Sequence, residues 1–99
     1  MANEEIVQEK KVMGQFFEKL AQNPGLAAYG EIDVMNKLKM GAVDILLISD
    51  SAADSVIENF EIEAQKVGTD IRLISTDTRE GVQLKEIGKI AAILRYEVS

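Results

Sequence analysis

Six carboxylates lie close together in the middle of the chain, and carboxylate oxygens are the ligands that Ca²⁺ and Mg²⁺ prefer. They are Asp44, Asp50, Asp54, Glu58, Glu61 and Glu63. No lysine or arginine lies between residues 44 and 63, so the net charge of −6 is concentrated in this stretch. Asp54, Glu58 and Glu61 follow each other at intervals of four and three, which is typical of a solvated helix face. We favour that interpretation over a cation site, and we predict that Asp50 caps the helix.

The chain has no cysteine and no histidine. This composition excludes a disulfide framework, a thiol nucleophile, a thiolate metal site and a Ser-His-Asp relay. A transition metal would have to bind through carboxylates alone, which such metals do not favour. We therefore expect no catalytic residue, no metal and no cofactor, and we predict that the protein is not an enzyme.

The glycines do not form a phosphate-binding loop. No two of them are separated by a single residue, so the dinucleotide fingerprint is absent. The pair Gly88-Lys89 lacks the other parts of a P-loop, because position 83 is Gln and position 90 is Ile. The pI near 4.6 also argues against tight binding to a nucleic-acid backbone, which normally needs a basic face.

Apolar periodicity defines the elements that would position any binding residue. Short apolar runs predict four strands near residues 26–29, 43–49, 70–75 and 90–96. Helical spacing predicts helices over residues 4–21, 31–40, from Ser51 to Val67, and 79–87. The inner face of the first helix would carry Ile6, Met13, Phe16, Phe17 and Leu20. The alternation predicts an α/β fold with a mainly parallel or mixed sheet between helix layers.

The same pattern predicts local details of the core and the helix ends. Ser51 with Asp54 resembles a capping box, and Asp77 is the expected cap of the last helix. Strand alternation would place Arg95 on the face opposite Leu94 and Tyr96. The residues expected to be largely buried are Val43, Ile45, Leu47, Phe60, Ile71, Leu73, Ala92 and Leu94.

Three segments together resemble a known family. They are residues 25–30 (GLAAYG), residues 39–48 (KMGAVDILLI) and residues 74–96, which begin ISTDT and end AILRY. The chain resembles the C-terminal domain of the archaeal and eukaryotic class-I peptide chain release factor. The ribosome-rescue protein pelota carries a sister domain. Thr76-Asp77-Thr78, with the upstream pair Phe16-Phe17, looks more like the release factor, and pelota is the alternative.

This resemblance implies a three-layer α/β/α sandwich with a mixed four-stranded sheet, shared with ribosomal proteins that bind kink-turn RNA. It also implies a cytoplasmic role in translation termination. Residues 1–99 would form a single domain, a fragment of a longer factor without the stop-codon-reading and Gly-Gly-Gln domains. The chain departs from the family in two places. It runs from Ile48 through Ser51 into a helix without a cysteine-containing insert, and Lys89 replaces a common glycine.

The resemblance also implies partners: a translational GTPase of the elongation-factor type, the ribosome-recycling ATPase and, through the full-length factor, the ribosome. It implies no direct nucleic-acid or membrane binding. The docking residues carried over are Tyr29, Gly30, Met40, Gly41, Ile93, Arg95 and Tyr96. Arg95 is the first candidate, because arginine and aromatic side chains dominate interface hot spots. The alternative is an RNA-binding module that uses the turn over residues 29–33, where Glu31 and Asp33 would repel phosphates.

Overall fold

The computed structural model describes residues 2–97, and it describes side chains from residue 10 onward. Within residues 2–97, four helices and four strands alternate as the apolar pattern predicts, so the α/β class is confirmed. A single 3₁₀ turn at Pro24–Leu26 separates the first helix from the first strand. The elements are α1 (Ala2–Gln22), β1 (Ala27–Tyr29), α2 (Glu31–Lys39), β2 (Val43–Ser49), α3 (Asp54–Val67), β3 (Asp70–Ile74), α4 (Arg79–Glu86) and β4 (Ile90–Leu94).

The four strands form one mixed sheet in the order β1-β4-β2-β3. β2 and β3 are parallel, whereas β4 runs antiparallel to both of its neighbours, β1 and β2. β1, β2 and β3 therefore finish at the same end of the sheet, where β4 begins. We call this the carboxyl end. The opposite end, where β1, β2 and β3 begin and β4 finishes, is the amino end.

Two helix layers cover the two faces of the sheet. Leu46 and Ile48 of β2 lie in one core with Phe60 of α3, and residues of α2 join the same core. Leu47, between them, points to the other face and packs with Phe16 of α1 and with α4. This alternation is the period of two expected of a strand covered on both sides, and it gives the three-layer α/β/α sandwich.

Helix α1 is anchored through its second half. Met13 and Phe16 are fully buried, and Phe17 and Leu20 pack partly buried against the same core. The side chain of Ile6, predicted on the same inner face, lies outside the described residues.

The predicted core is only partly correct. Val43, Leu47, Phe60, Ala92 and Leu94 are buried as expected. Two of the remaining predicted core residues, Ile45 and Ile71, are only partly buried, and Leu73 is 52% exposed, so the prediction for Leu73 is wrong. Ile71 and Leu73 belong to β3, which stands at the edge of the sheet beside a single neighbour.

The predicted helix caps are also wrong. The N-cap of α3 is Ala53, which makes no side-chain cap bond. The hydroxyl of Ser51 instead lies 2.7 Å from that of Ser49, the last residue of β2. The N-cap of α4 is Thr78 rather than Asp77, and the Thr78 hydroxyl accepts a hydrogen bond from the Gly81 amide at 3.0 Å.

The sequence predicted that Asp50 caps α3, but the N-cap of α3 is Ala53. Its carboxylate accepts a hydrogen bond from the Thr76 amide at 3.2 Å. The bond joins the loops that follow the parallel strands β2 and β3. Asp50 therefore stabilises the carboxyl end of the sheet instead of a helix terminus.

Candidate docking surface

The predicted docking residues lie at both ends of the sheet. Tyr29 and Gly30 follow β1 at the carboxyl end, where the Gly30 amide donates to the carbonyl of Ile90 at 2.9 Å. Arg95 follows β4 at the amino end, where its amide donates to the carbonyl of Ala42 at 2.7 Å. The split follows from the direction of β4, which runs opposite to β1 and β2.

Four of the seven residues gather at the amino end, and we call Met40, Gly41, Arg95 and Tyr96 the amino-end patch. Helix α2 stops at Lys39, and Gly41 turns the chain with a φ of +73° toward β2. A positive φ is readily available to glycine, which has no Cβ. The turn leaves Met40 60% exposed, while Tyr96, beyond β4, is 52% exposed. A large exposed side chain thus stands close in sequence to each partner of the hydrogen bond between Arg95 and Ala42.

The side chain of Arg95 stabilises the amino end through two hydrogen bonds to backbone carbonyls. The guanidinium donates from Nε to the carbonyl of Val43 and from Nη2 to the carbonyl of Gly68, both at 3.2 Å. It therefore connects the end of β4 to the start of β2 and to the turn between α3 and β3. The strand predicted over residues 90–96 stops at Leu94, so strand alternation does not extend to Arg95 and Tyr96.

Ile93 has a different environment from the other six residues. It is 4% exposed and packs in the core between the sheet and helices α1 and α4. A partner cannot reach this side chain in the folded domain. Val34, Leu38 and Leu94 are buried too. These residues support the surface by packing beneath it.

At the carboxyl end, Tyr29 is 49% exposed and Ile32, in the first turn of α2, is 80% exposed. Sequence reasoning missed Ile32. The helical period could have predicted its exposure, because Ile32 does not lie on the helix face that Val34 and Leu38 share. An isoleucine with this exposure adds apolar surface next to Tyr29.

The turn before β4 shows why a glycine is favoured at position 89. Lys89 has a φ of +72°, a conformation that costs a residue with a Cβ roughly 1–2 kcal/mol. The closest backbone approach belongs to Gly88, where an added Cβ would lie 3.3 Å from the Cα of Gly30. Lys89 therefore leaves the close contact between Gly88 and Gly30 intact. Its backbone is strained, and its side chain adds a positive charge at the carboxyl end.

A family model described as eRF1 domain 3 matches residues 6–98. The match covers the sheet and almost all of the helices. The chain belongs to the eRF1 domain 3 family.

The proteins similar to this chain include both peptide chain release factors and pelota homologs. Peptide chain release factor subunit 1 from Methanobrevibacter smithii is 34% identical over a 139-residue alignment that covers 95% of this chain and 34% of the relative. A pelota homolog from Methanothermobacter thermautotrophicus is 35% identical over 94 residues, covering 94% of this chain and 27% of the relative. The chain therefore spans about a third of the length of these relatives.

Solved structures of the eRF1 domain 3 family have the same fold. The C-terminal domain of peptide chain release factor from Methanosarcina mazei superposes with a TM-score of 0.90 at 26% identity, over 96% of this chain and 86% of that one. An archaeal pelota described as ribosome-bound with ABCE1 has a TM-score of 0.84 at 28% identity, over 98% and 28%. Yeast Dom34, described as interacting with Hbs1, has a TM-score of 0.84 at 26% identity, over 93% and 28%.

Helix α3 of this eRF1 domain 3 member carries three of the acidic residues of the central stretch on its surface. Asp54, Glu58 and Glu61 are all exposed on α3, as predicted for a solvated helix face. Across the described residues no group of three or more Asp, Glu, His or Cys side chains is arranged to hold a metal ion. None of the described helices is long and apolar enough to cross a membrane.

We expect the domain to unfold at the same temperature in the presence and absence of a strong chelator. A cation bound only to the native state would stabilise it by mass action, and its removal would lower the melting temperature. Differential scanning calorimetry with EDTA, and separately with added Mg²⁺ or Ca²⁺, measures this. A loss of several degrees in EDTA, reversed by one of the cations, would show that the carboxylates hold a structural ion.

Proposed function

We propose that this domain docks a translational GTPase of the elongation-factor type and the ribosome-recycling ATPase, as the C-terminal domain of a class-I peptide chain release factor. The chain itself belongs to the release factor and pelota family of translation factors. Two structurally similar proteins support this choice of partners. Dom34 is described as interacting with Hbs1, and an archaeal pelota is described as ribosome-bound with ABCE1. The observation that carries the proposal is the amino-end patch.

The amino-end patch has the composition of an interface centre. Interface hot spots are enriched in tyrosine and arginine, and methionine is enriched at interfaces generally. Met40 and Tyr96 are each more than half exposed, so their apolar surface is free to be buried by a partner. Arg95 fixes the backbone between them through its bonds to Val43 and Gly68. A surface that is already rigid loses less conformational entropy when a partner binds.

The release factor is the first assignment, on the resemblance of the ISTDT segment at residues 74–78. Pelota is the second, and one observation favours it. The alignment to the Methanobrevibacter release factor is 139 residues long, 40 more than the 99 residues of this chain. At least 40 residues of that relative therefore have no counterpart here, whereas the pelota alignment needs only 94 residues.

A chimera separates the two assignments. The chain would replace the C-terminal domain of an archaeal release factor and, in parallel, that of an archaeal pelota. We expect the release-factor chimera to retain GTPase-dependent peptide release and the pelota chimera to fail in ribosome rescue. The reverse result would reassign the domain to pelota, while failure of both chimeras, with the domain folded, would contradict the proposed function.

Replacing Tyr96 with Ala should weaken binding of the GTPase by about 1–2 kcal/mol, close to a tenfold rise in Kd. The residue lies beyond β4 and is half exposed, so its removal should leave the fold intact. Isothermal titration calorimetry measures the affinity, and circular dichroism checks the fold. Arg95→Glu is a less direct test, because it also removes the hydrogen bonds to the carbonyls of Val43 and Gly68.

Tyr29→Ala is the matched control for Tyr96→Ala. It removes the same side chain at nearly the same exposure, 49% against 52%, from the opposite end of the sheet. We expect it to bind the GTPase with almost the parental affinity. If Tyr29→Ala weakens binding and Tyr96→Ala does not, the GTPase docks at the carboxyl end and the amino-end patch is not its site.

A further inference from the structure

Strand β3 offers an open row of backbone groups. It is an edge strand five residues long, with β2 as its one neighbour among the described residues. The carbonyl of Ile74 accepts a hydrogen bond from the Asp50 amide at 2.9 Å, so the backbone of Ile74 points toward β2. Because backbone groups alternate along a strand, Arg72 and Asp70 point the same way, and Ile71 and Leu73 point outward. Such an edge is a template for a further strand.

Strand β3 carries one negative and one positive side chain, Asp70 and Arg72, two residues apart. Asp70 and Arg72 alternate with Ile71, so they share one face of the sheet, and both are exposed. If a second copy of β3 pairs antiparallel with Ile71 opposite Ile71, each Asp70 stands opposite an Arg72. These two pairs fall at the non-hydrogen-bonded positions, where side chains approach more closely. The register centred on Arg72 would instead place two guanidinium groups opposite each other.

From this complementarity we propose that the chain associates with a second copy of itself through β3, in the antiparallel register centred on Ile71. The outward amide and carbonyl of Ile71 bond to those of Ile71 in the second copy, and the Leu73 amide donates to the opposite carbonyl of Thr69. The two sheets become one sheet of eight strands. Leu73, 52% exposed in the single chain, then lies beside the incoming strand. Each copy carries a net charge of −6, so the dimer is expected to be weak.

Charge reversal at Asp70 and at Arg72 tests the proposed dimer, and mixing the two variants separates an effect on pairing from an effect on the stability of the fold. Asp70→Arg places two arginines opposite each other, and Arg72→Asp places two aspartates opposite each other. Each variant alone should dimerise at least about tenfold more weakly than the parent, since opposed like charges destabilise a strand pair. Mixed together, the two variants restore both opposite-charge pairs and should form a one-to-one heterodimer. Analytical ultracentrifugation over a micromolar-to-millimolar series measures this, with circular dichroism to confirm folding.

Hydrogen exchange provides a second readout on the unmodified chain. The amides of Ile71 and Leu73 should become protected as the protein concentration rises, whereas the Arg72 amide, which points toward β2, should be protected at every concentration. A parent that stays monomeric at millimolar concentration would overturn the proposal. So would a dimer whose Kd is unchanged by both reversals, because that dimer would use another surface.

Discussion

Replacing Gly81 with Ala should destabilise the domain by about 3 kcal/mol, at the upper end of the usual range for overpacking. Gly81 lies in the first turn of α4, and an added Cβ would overlap the carbonyl oxygen of Ser75 and lie 2.6 Å from its carbonyl carbon. Both are backbone atoms, so no side-chain rotation relieves the overlap. The Ser75 carbonyl also accepts the Thr78 hydroxyl at 3.1 Å. A shift of α4 would therefore disturb the cap of the helix as well.

Gly14→Ala is the matched control for Gly81→Ala. Gly14 is exposed within α1 and has no neighbouring atom within 4 Å of an added Cβ. Alanine there should raise the free energy of unfolding by about 0.5–1 kcal/mol, because glycine loses more backbone entropy in a helix. Thermal and urea unfolding followed by circular dichroism compare the variants. A Gly81→Ala domain as stable as the parent would mean that α4 does not pack on Ser75 as described.

Truncating Leu47 to Ala should cost about 2–5 kcal/mol, the range found for buried leucines. Leu47 is fully buried near the middle of β2 and packs in the core with Phe16 and Leu84. Helices α1 and α4 both contribute to this core, so the cavity would be surrounded by secondary structure that cannot easily collapse. Urea unfolding at low micromolar concentration measures the loss.

Leu73→Ala is the control for Leu47→Ala, because it separates the effect of burial from the effect of shortening a leucine in this sheet. It removes the same atoms from a strand of the same sheet, but its side chain is half exposed. We expect a loss below about 1 kcal/mol, since surface substitutions rarely cost more. Equal losses at the two positions would contradict the assignment of β3 to the edge of the sheet.

The sequence predicted the order and type of the elements well, because that information is local. The run of apolar residues over 43–48 is short and β-branched, and Gly68 ends α3 in the left-handed conformation as its position after the apolar stripe suggests. Phe60 and Ala64 show the helical period directly and are buried. These features need no knowledge of the other strands.

Errors arose where the answer depends on strand order or strand direction. Leu73 was predicted to be buried because β3 was expected to be covered on both faces, but β3 stands at the edge of the sheet. The charged Asp70 and Arg72 that alternate with Ile71 in β3 already distinguish this strand from the continuous apolar run around Leu47. Arg95 and Tyr96 lie at the opposite end of the sheet from Tyr29 because β4 is antiparallel to β1, a direction that no local pattern encodes. The cap of α4 is a different error. Asp77 and Thr78 are both good caps, and the hydroxyl of Thr78 is the group that reaches the Gly81 amide.

The length of the central strand β2 makes the two ends of the sheet largely independent of each other. β2 spans the sheet with seven residues, which corresponds to about 20 Å between its first and last Cα. That distance exceeds the Debye length of about 8 Å at physiological ionic strength, so a charge at one end is screened from the other. Changes at Tyr29 and Tyr96 should therefore be additive. If one partner docks at each end, as the proposed function allows, we expect the two not to compete for the same molecule.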